Sequence, residues 1–415
     1  MANEFDVIVV GAGPGGSTTA SYLAKGGKKV LLVDKAKFPR DKTCGDALSG
    51  KTLKVLKELE LIEKVKTLPH ADIKGVIFSS PAGNVVEIPF LKSDQNRKDG
   101  TGYCIRRYYT DNMFFEAAKS FGAKTLEQTQ VQGIIFDDKR AIGIRALDLV
   151  TKEQKEFYAK VVVGADGVNS IVAKEVLGED ANLEPEHSCD ALRVYYKGIK
   201  NLTDNIEIHF FKSIQPGYFW IFPVGDGVAN VGIGLVSSEL QKRMKKTKKT
   251  LVHLLNESIT SEKIIKDRFL EAKALGPITG WRLPFGSKKR KIAGDGWVLV
   301  GDAASLVDPF SGEGVGNATT SGRFAAKTIL KAFEMNDFSY SILQDYEKKV
   351  WDELGAELNT SYQMQKLGRF QFLLDRVIYK AKTDQRVRDL IANSLASEET
   401  KKEFLNPFFY LKVLI

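Results

Sequence analysis

Phe5-Asp-Val-Ile-Val-Val10 leads without a spacer into Gly11-Ala-Gly-Pro-Gly-Gly16, and Val30-Leu-Leu-Val33 ends on Asp34. Between the glycines and the second apolar run, Ser17 to Gly26 is rich in Ala and Leu and has a helical pattern. The order is therefore strand, glycine turn, helix, strand and acid. This order predicts a βαβ unit that binds a dinucleotide.

Each part of this motif has a physical task. Gly11 permits the tight turn, Gly13 lets the backbone approach a pyrophosphate, and Gly16 lets the helix lie close to the strand. Unpaired N–H groups at the helix N-terminus favour the anion, and Asp34 is placed to accept from ribose hydroxyls. The motif alone does not choose between NAD and FAD. The residues expected to bind the cofactor here are Gly11, Ala12, Gly13, Pro14, Gly15, Gly16, Asp34 and Lys35.

The composition is ordinary for a soluble protein, and the chain is long enough for two or three domains. The chain has 415 residues, of which 43% are hydrophobic and 27% charged. No apolar run approaches the roughly 20 residues of a membrane span, and no signal peptide is expected before the first strand. Three scattered cysteines and four histidines without ligand spacing argue against a disulfide framework or a metal site. A cytoplasmic setting is expected.

The net charge of +9 is concentrated in two basic runs. Lys242 to Lys249 has six basic residues in eight, and Lys288 to Lys291 has four in four. These runs are either solvated loops or surfaces that attract an anionic membrane or an acidic electron donor. No nucleic-acid-binding motif accompanies the charge, so no nucleic acid is expected as a partner.

The rest of the chain predicts an α/β fold with an inserted sheet. Cys104-Ile-Arg-Arg107 leads into a helix, and Val161-Val-Val-Gly-Ala-Asp-Gly167 returns to the dinucleotide fold. Alternating segments between His187 and Phe285 predict an antiparallel sheet, and a hairpin is expected over Ile73 to Phe90. The predicted domains are a discontinuous dinucleotide-binding domain (1–70, 99–185 and 286–335), a substrate-binding β-sheet domain (71–98 and 186–285) and a C-terminal helical region (336–415).

Four separated pieces resemble the FAD-dependent oxidoreductases of the p-hydroxybenzoate hydroxylase fold. They are the N-terminal βαβ unit, Arg107 before a helix, the Gly164-Ala-Asp-Gly167 turn, and Gly301-Asp302 followed by a glycine-rich turn. The resemblance implies FAD as cofactor, with Asp302 on the ribityl chain and the start of the following helix facing the isoalloxazine ring. A helix N-terminus there stabilises negative charge on a reduced flavin. The further cofactor-binding residues that it implies are Gly45, Arg107, Val131, Asp166, Asp302, Gly314, Val315 and Gly316.

The inserted sheet narrows the resemblance to the geranylgeranyl reductase family. Tyr218-Phe-Trp-Ile-Phe-Pro223 and Gly232-Ile-Gly234 are similar to the family's Y-x-W-x-F-P…G-x-G signature. Gly280-Trp-Arg-Leu-Pro284 is similar to its G-G-x-I-P stretch, with Trp281 in place of the second glycine. The resemblance implies reduction of double bonds in an isoprenoid chain. The residues expected to contact substrate are Tyr218, Trp220, Phe222, Pro223, Gly232 and Gly234; simple core packing is the alternative for the aromatic ones.

Phe38-Pro-Arg-Asp-Lys-Thr-Cys-Gly-Asp46 is similar to the family segment that carries a cysteine beside the flavin. Cys44 is therefore the candidate catalytic residue, as proton donor to the alkene while the flavin donates hydride. The alternative for Cys44 is a small packing residue beside the ring.

Two other functions stay open at the level of sequence. The first is a flavin-dependent monooxygenase or halogenase, since the halogenase signature is one step from Tyr218–Pro223; halogenases also use an active-site lysine that the sequence does not locate. The second is a lipid- or quinone-binding flavoprotein without catalysis. The electron donor is expected to be NAD(P)H or an iron–sulfur protein. The apolar face of Phe370 to Ile378 and the tail Phe408 to Ile415 are packing surfaces or, alternatively, peripheral contacts with the inner face of the membrane.

Overall fold

The computed structural model describes residues 3–90, 102–178 and 184–396. Its strands are β1 (Glu4–Val10), β2 (Val30–Val33), β3 (Ala47–Leu48), β4 (Ala71–Ile73), β5 (Gly75–Ser79), β6 (Val85–Pro89), β7 (Gly102–Cys104), β8 (Lys124–Leu126), β9 (Thr129–Asp137), β10 (Arg140–Asp148), β11 (Gln154–Gly164), β12 (Ser188–Lys197), β13 (Asn205–His209), β14 (Gly217–Pro223), β15 (Val228–Val236), β16 (Lys273–Ala274), β17 (Thr279–Pro284), β18 (Ala293–Gly294) and β19 (Trp297–Leu299).

Its helices are α1 (Pro14–Lys25), α2 (Gly50–Glu58), α3 (Ile62–Thr67), α4 (Arg107–Ser120), α5 (Ile171–Leu177), α6 (Ser237–Thr247), α7 (Leu251–Ser261), α8 (Val315–Met335), α9 (Tyr340–Leu367), α10 (Gln371–Thr383) and α11 (Gln385–Ala396). Short 3₁₀ turns cover Pro185–His187, Lys212–Ile214, Lys266–Arg268 and Gly301–Ala304. None of the helices in the described ranges is long and apolar enough to cross a bilayer.

The first sheet is the dinucleotide-binding one, in the order β18-β19-β11-β1-β2-β8. Four neighbouring pairs run parallel, from β19 through β11, β1 and β2 to β8. Their strands are short apolar runs because both faces are covered, with α1 and α8 contributing to the core. The carboxyl ends of β1, β11 and β19 therefore meet at one edge, where the first glycine turn and Gly301 both lie.

The second sheet has the order β16-β12-β15-β14-β13-β5-β6, and β17 pairs with β12 beside β16, on the edge opposite β15. The predicted hairpin forms as β5 and β6. The sheet is antiparallel, as expected, except at one pair: β13 runs parallel to β5. The hairpin enters from the N-terminal part of the chain, so its direction is not set by the turns that connect β12 to β15.

The C-terminal helices pack on both sheets. Leu343, Tyr346 and Val350 of α9 join the core of the first sheet, and the Tyr346 hydroxyl donates to the Leu299 carbonyl at 2.6 Å. Helices α10 and α11 instead pack against β6 of the second sheet. The predicted domain boundaries stay predictions. The tail 408–415 that the sequence singled out lies outside the described residues.

Candidate active site

The glycine turn after β1 has the geometry of a phosphate cradle. Gly11 has φ +97°, and a Cβ there would lie 2.4 Å from the Ala165 carbonyl oxygen, so only glycine fits. Gly13 is the N-cap of α1 and Pro14 its first residue, and no acidic side chain stands in the first turn. Unpaired N–H groups at this helix end suit a pyrophosphate. Gly16 packs against the Gly11 carbonyl, outside the cavity described below.

Asp34 is held at the end of β2 by two backbone donors. Its Oδ2 accepts from the Ala12 N–H and its Oδ1 from the Ala36 N–H, both at 2.8 Å. The N–H of Ala12 is therefore committed to Asp34. The carboxylate and its neighbour Lys35 both line the cavity, where the remaining lone pairs of Asp34 are available to sugar hydroxyls.

Arg107 is anchored in a buried ionic cluster. Its Nη2 donates to Asp111 Oδ2 at 2.8 Å, and Arg40 Nη1 donates to the same oxygen at 2.7 Å. Both arginines line the cavity, and the Arg40 guanidinium lies above Gly13. A buried acid shared by two arginines fixes two cations beside the cradle, which suits a doubly charged pyrophosphate.

The residues that follow β19 also line the cavity. Asp302 lies in the 3₁₀ turn after β19, and burial raises the pKa of its carboxyl against the opposing effects of Lys42 and Arg107. Gly314 is the N-cap of α8 and Val315 its first residue, and both line the cavity with Asp302.

Besides Ala12 and Gly16, three more residues predicted to bind the cofactor lie outside the cavity or act through the backbone. Asp166 lines the cavity, but its Oδ2 accepts from the Ile171 N–H at 2.7 Å and so holds the start of α5. Gly316 packs against Ser49 and Lys51, and Val131 lies in the core of the first sheet. Neither Gly316 nor Val131 lines the cavity. The residues that remain, with their glycine cradle and two carboxylates at strand ends, fit FAD.

Cys44 is held by a buried hydrogen-bond network. Asn230 Nδ2 donates to the Cys44 carbonyl at 2.6 Å and to Asp46 Oδ2 at 2.7 Å. Tyr195 also donates to Asp46 Oδ2, at 2.8 Å, and Trp220 Nε1 donates to Asn230 Oδ1 at 2.9 Å. The Asn230 amide thus joins the turn that carries Cys44 to the second sheet, so the position of the thiol depends on Asn230.

Asp46 and Lys42, on either side of Cys44, both have altered acidity. Burial raises the pKa of Asp46 to about 6, although hydrogen bonds from Asn230 and Tyr195 oppose the rise. Burial lowers the pKa of Lys42 to about 8, with Asp302 opposing. Lys42 Nζ lies 3.9 Å from the centre of the Trp281 ring. The cavity therefore holds a thiol beside an ammonium group that releases its proton readily.

Three aromatic side chains of one strand form a wall of the same cavity. Tyr218, Trp220 and Phe222 alternate along β14, and all three line the cavity. The Phe222 ring packs against Gly45, since a Cβ there would lie 3.0 Å from its edge. The Tyr218 hydroxyl donates to the Ser311 carbonyl at 2.6 Å, which ties the wall to the turn before α8.

The two glycines of the G-x-G signature leave room for the Trp220 indole. A Cβ on Gly232 would lie 2.1 Å from Trp220 Cζ2, so the ring lies flat on this residue. Gly234 lines the cavity beside it, whereas Gly232 and Pro223 do not reach the cavity surface. Of the six residues expected to contact substrate, the three aromatic ones and Gly234 therefore line the cavity, and Gly232 and Pro223 do not.

The cavity has a volume of about 1000 Å³ and runs from the glycine cradle into the second sheet. Beyond the aromatic wall its lining is apolar, from side chains on β5, on β13 and just after β13: Val76, Phe78, Ile206, Ile208 and Phe210. One cavity therefore joins a polar end, which suits the cofactor, to an apolar far end.

Sequence reasoning missed five residues of this site: Arg40, Lys42, Asp46, Tyr195 and Asn230. One signal was available. Asn230 is the only strongly polar residue in β15, all nine positions of which are buried, and a buried amide needs partners.

Three comparisons bear on the site. The FAD binding domain family matches residues 4–351. The chain is 32% identical over 387 residues to the digeranylgeranylglycerophospholipid reductase of Methanocella arvoryzae, covering 88% of each protein. It superposes on a geranylgeranyl bacteriochlorophyll reductase-like protein of Thermoplasma acidophilum with a TM-score of 0.82 at 25% identity, covering 97% of this chain and 98% of that one.

A flavin-dependent brominase is also similar, with a TM-score of 0.77 at 22% identity, covering 95% of this chain and 93% of that one. At this identity the likeness shows the fold alone. The predicted fold class and the predicted FAD cofactor are confirmed by these findings together.

Proposed function

The chain belongs to the geranylgeranyl reductase family of FAD-dependent oxidoreductases, and from that premise we propose that it saturates carbon–carbon double bonds in a polyprenyl chain. The single observation that carries the proposal is the cavity, whose polar end suits FAD and whose far end is apolar. A polyprenyl chain gains about 0.8 kcal/mol for each CH₂ that such a wall removes from water. The names of the relatives support the same substrate class.

For the cofactor, the proposal assigns the phosphates to the cradle and the sugars to the strand-end carboxylates. Gly13, Pro14 and Gly15 present backbone to the pyrophosphate, and Arg40 and Arg107 supply positive charge. Asp34 accepts from the ribose and Asp302 from the ribityl chain. Gly45, Gly314 and Val315 approach the ring, which leaves the thiol of Cys44 on the substrate side.

The reaction adds one hydride and one proton across each double bond. Reduced FAD, when bound, supplies the hydride. An isolated alkene accepts hydride poorly, so an acid must protonate the other carbon as the hydride arrives. We assign that acid to the Cys44 thiol, which gains a negative charge when the new C–H bond forms.

The neighbours of Cys44 support this assignment. Lys42 and Arg107 both interact electrostatically with Cys44, so two cations offset the negative charge that the thiol leaves behind. Lys42 then returns a proton to the sulfur from its ammonium group. Asn230 and Asp46 fix the turn that carries the thiol, and the faces of Trp220 and Phe222 stabilise cationic character on the alkene.

The test is a single turnover without oxygen. Protein reduced with dithionite is mixed with a geranylgeranyl lipid, and flavin oxidation is followed by absorbance. The expected product is heavier by two hydrogens for each alkene reduced. Flavin that stays reduced, with lipid of unchanged mass, would leave only a lipid-binding flavoprotein.

A halogenase or monooxygenase is the second candidate, and Lys42 is the observation that favours it, since halogenases need an active-site lysine. Such an enzyme consumes oxygen in proportion to product. Steady-state oxygen uptake coupled to substrate modification would therefore select this candidate over the reductase.

Replacement of the thiol tests the assigned acid. Cys44→Ser keeps the size of the side chain, so FAD should remain bound and dithionite should reduce it at the wild-type rate. The alkene step should slow by about 100-fold or more, the usual contribution of a positioned acid. Cys104→Ser is the matched control, since it makes the same exchange at a second thiol of the cavity lining, one that has no exposed surface. Equal alkene rates in wild type and Cys44→Ser would make Cys44 a packing residue.

The proposal places the lipid-loading end of the cavity at the start of α10. Leu374 and Ile378 pack inward, but Phe370 and Phe372 expose 60% and 65% of their surface. Gly368, two residues before Phe370, lines the cavity. Exposed aromatic rings beside a cavity that takes lipid suit shallow insertion into the inner face of the membrane. Phe370→Ser with Phe372→Ser should therefore reduce sedimentation with anionic vesicles, and unchanged sedimentation would remove this surface from the proposal.

The exposed lysines of α6 and the turn after it are proposed to attract the electron donor. Lys245, Lys246, Lys248 and Lys249 are exposed, although Lys249 also pairs with Glu257 at 2.6 Å. Reversal of all four to Glu should raise the KM for an acidic iron–sulfur donor and flatten its dependence on salt, while turnover with dithionite is retained. A donor KM that is unchanged at every salt concentration would return these lysines to a solvated surface.

A further inference from the structure

A second, smaller cavity lies directly behind one wall of the flavin cavity. Its volume is about 500 Å³, and it is open to solvent between α6, the start of α7 and the strands β12 and β17. The two cavities share three residues, namely Asn169, Ala191 and Trp281. The side chains of Asn169 and Ala191 are small, so the indole of Trp281 is the main barrier between the two spaces.

The outer cavity has the chemistry of an apolar channel. Its lining includes Leu192, Leu240, Met244, Leu251 and Val252. Met244 and Val252 expose 39% and 41% of their surface, so they form its rim. A mostly apolar groove, whose lining also includes the Arg282–Asp190 ion pair, therefore lies on one side of the indole, and the flavin cavity lies on the other side.

The Trp281 ring is held in place by packing. Its side chain makes no hydrogen bond among the described residues. Trp281 lies opposite Ala191 in the β12–β17 ladder, which leaves room for the indole over a small side chain. Lys42 Nζ lies 3.9 Å from the ring centre on the cavity side. The buried indole N–H has no acceptor among the described residues. A ring held by a cation and by contacts alone can be removed without stranding a hydrogen-bond partner.

We propose that Trp281 closes a second opening of the flavin cavity and thereby limits the length of the apolar chain that the cavity accepts. The chain-length part rests on the proposed function, and the closure does not. Replacement of the indole by a small residue joins the two cavities, so the distal end of a longer chain passes into the groove between α6 and α7.

The first measurement tests closure without any substrate. Cys189 lines the flavin cavity two residues along β12 from Ala191. Cys104 also lines that cavity, but on a different strand, β7, and with no exposed surface. The FAD-loaded protein is treated with iodoacetamide, and labelling of each cysteine is followed by mass spectrometry. Trp281→Gly should label Cys189 about tenfold faster than wild type, since a thiol's reactivity follows its access, and Cys104 should be unchanged. Trp281→Phe, which keeps a ring in the wall, is the matched control and should label as wild type does.

The second measurement uses a series of all-trans polyprenols that lengthen by one isoprene unit. Affinity for the FAD-loaded wild type should rise with length to a limit and then fall. In Trp281→Gly the limit should move by at least one unit, so that the first chain beyond the wild-type limit binds about tenfold more tightly or better. Trp281→Phe should keep the wild-type limit.

The outcomes separate this inference from the proposed function. Equal Cys189 labelling in Trp281→Gly and wild type overturns the closure, and an equal length limit overturns the chain-length role. If no polyprenol binds the wild type, the proposed function fails, and the labelling result alone still decides whether Trp281 closes the opening. If Trp281→Gly does not retain FAD, Trp281→Ala, which costs less backbone entropy in a strand, is judged by the same criteria.

Discussion

The pair Gly232→Ala and Gly234→Ala tests whether the signature glycines exist to seat the Trp220 indole. A Cβ on Gly232 would lie 2.1 Å from Trp220 Cζ2 and 2.3 Å from the carbonyl oxygen of Leu192. On Gly234 the nearest atom would be Cys189 Sγ at 3.2 Å, with the indole 3.8 Å away. Carbon atoms pack best at about 3.5–4.0 Å, so the first change forces a displacement of more than an ångström and the second requires only a small adjustment.

The expected costs follow from these distances. The Leu192 carbonyl belongs to β12, which pairs with β15 along its whole length, so it cannot yield without disturbing the ladder. Gly232→Ala should therefore cost about 3 kcal/mol, the upper end for overpacking. Gly234→Ala should lie within about 1 kcal/mol of wild type, because the lost freedom of the unfolded chain offsets a mild contact.

The assay is the thermal melting of FAD-loaded protein. An unfolding entropy of about 2.1 cal/mol/K per residue means that 3 kcal/mol lowers the melting temperature of this chain by roughly 3–4 °C. Gly234→Ala should shift it by about 1 °C or less. Polyprenol binding should weaken in Gly232→Ala and persist in Gly234→Ala. Equal melting temperatures for the two variants would refute the idea that Gly232 is needed for the position of Trp220.

Three further predictions concern the network around Cys44. Asp46 has a folded-state pKa of about 6 against an ordinary 3.8, so the folded state holds its proton more tightly and stability falls as pH rises from about 4 to 6. This pH-dependent part of the unfolding free energy is worth roughly 3 kcal/mol and should vanish in Asp46→Asn. If the melting temperatures of wild type and Asp46→Asn change equally with pH over this range, the prediction is wrong. Asn230→Leu removes the donor to the Cys44 carbonyl and should slow alkene reduction about tenfold or more, while dithionite still reduces the flavin at the wild-type rate. Lys42 has a pKa of about 8, so steady-state turnover should slow as pH rises through 8, because Lys42 then has no proton to return to Cys44; Lys42→Met should lack that limb of the profile, and an identical limb in both proteins would exclude Lys42 as the source of the returned proton.

Much of the fold is predictable because its signals are local. The βαβ unit requires only apolar runs, a glycine turn and an acid in the right order, and the N-cap Ser49 announces α2, where its side chain accepts from the Thr52 N–H. The strand alternation in Tyr218–Pro223 indicates one shared face, and the structure has those aromatic side chains in one wall. Each of these features can be predicted from a few neighbouring residues.

The rest of the site is not predictable in this way because its contacts join distant parts of the chain. Asn230 and Cys44 are 186 residues apart, and nothing near either residue indicates the other. The parallel pairing of β13 with β5 depends on where a hairpin enters the sheet, which alternation does not encode. Lys42 resembles any loop lysine until the fold buries it beside Asp302 and the Trp281 ring.

The same parallel pair has a consequence for how the chain is made. Ser79 on β5 donates to or accepts from His209 on β13 at 2.8 Å, across 130 residues of sequence. A ribosome that adds about 5–20 residues per second leaves the β5–β6 hairpin without its neighbour for roughly 6–26 s after Ser79 is made. During that interval the inner edge of β5 offers unpaired N–H and C=O groups, flanked by the apolar side chains of Val76 and Phe78. The nascent hairpin is therefore a segment that a chaperone would protect, and synthesis without one should yield aggregates that involve it.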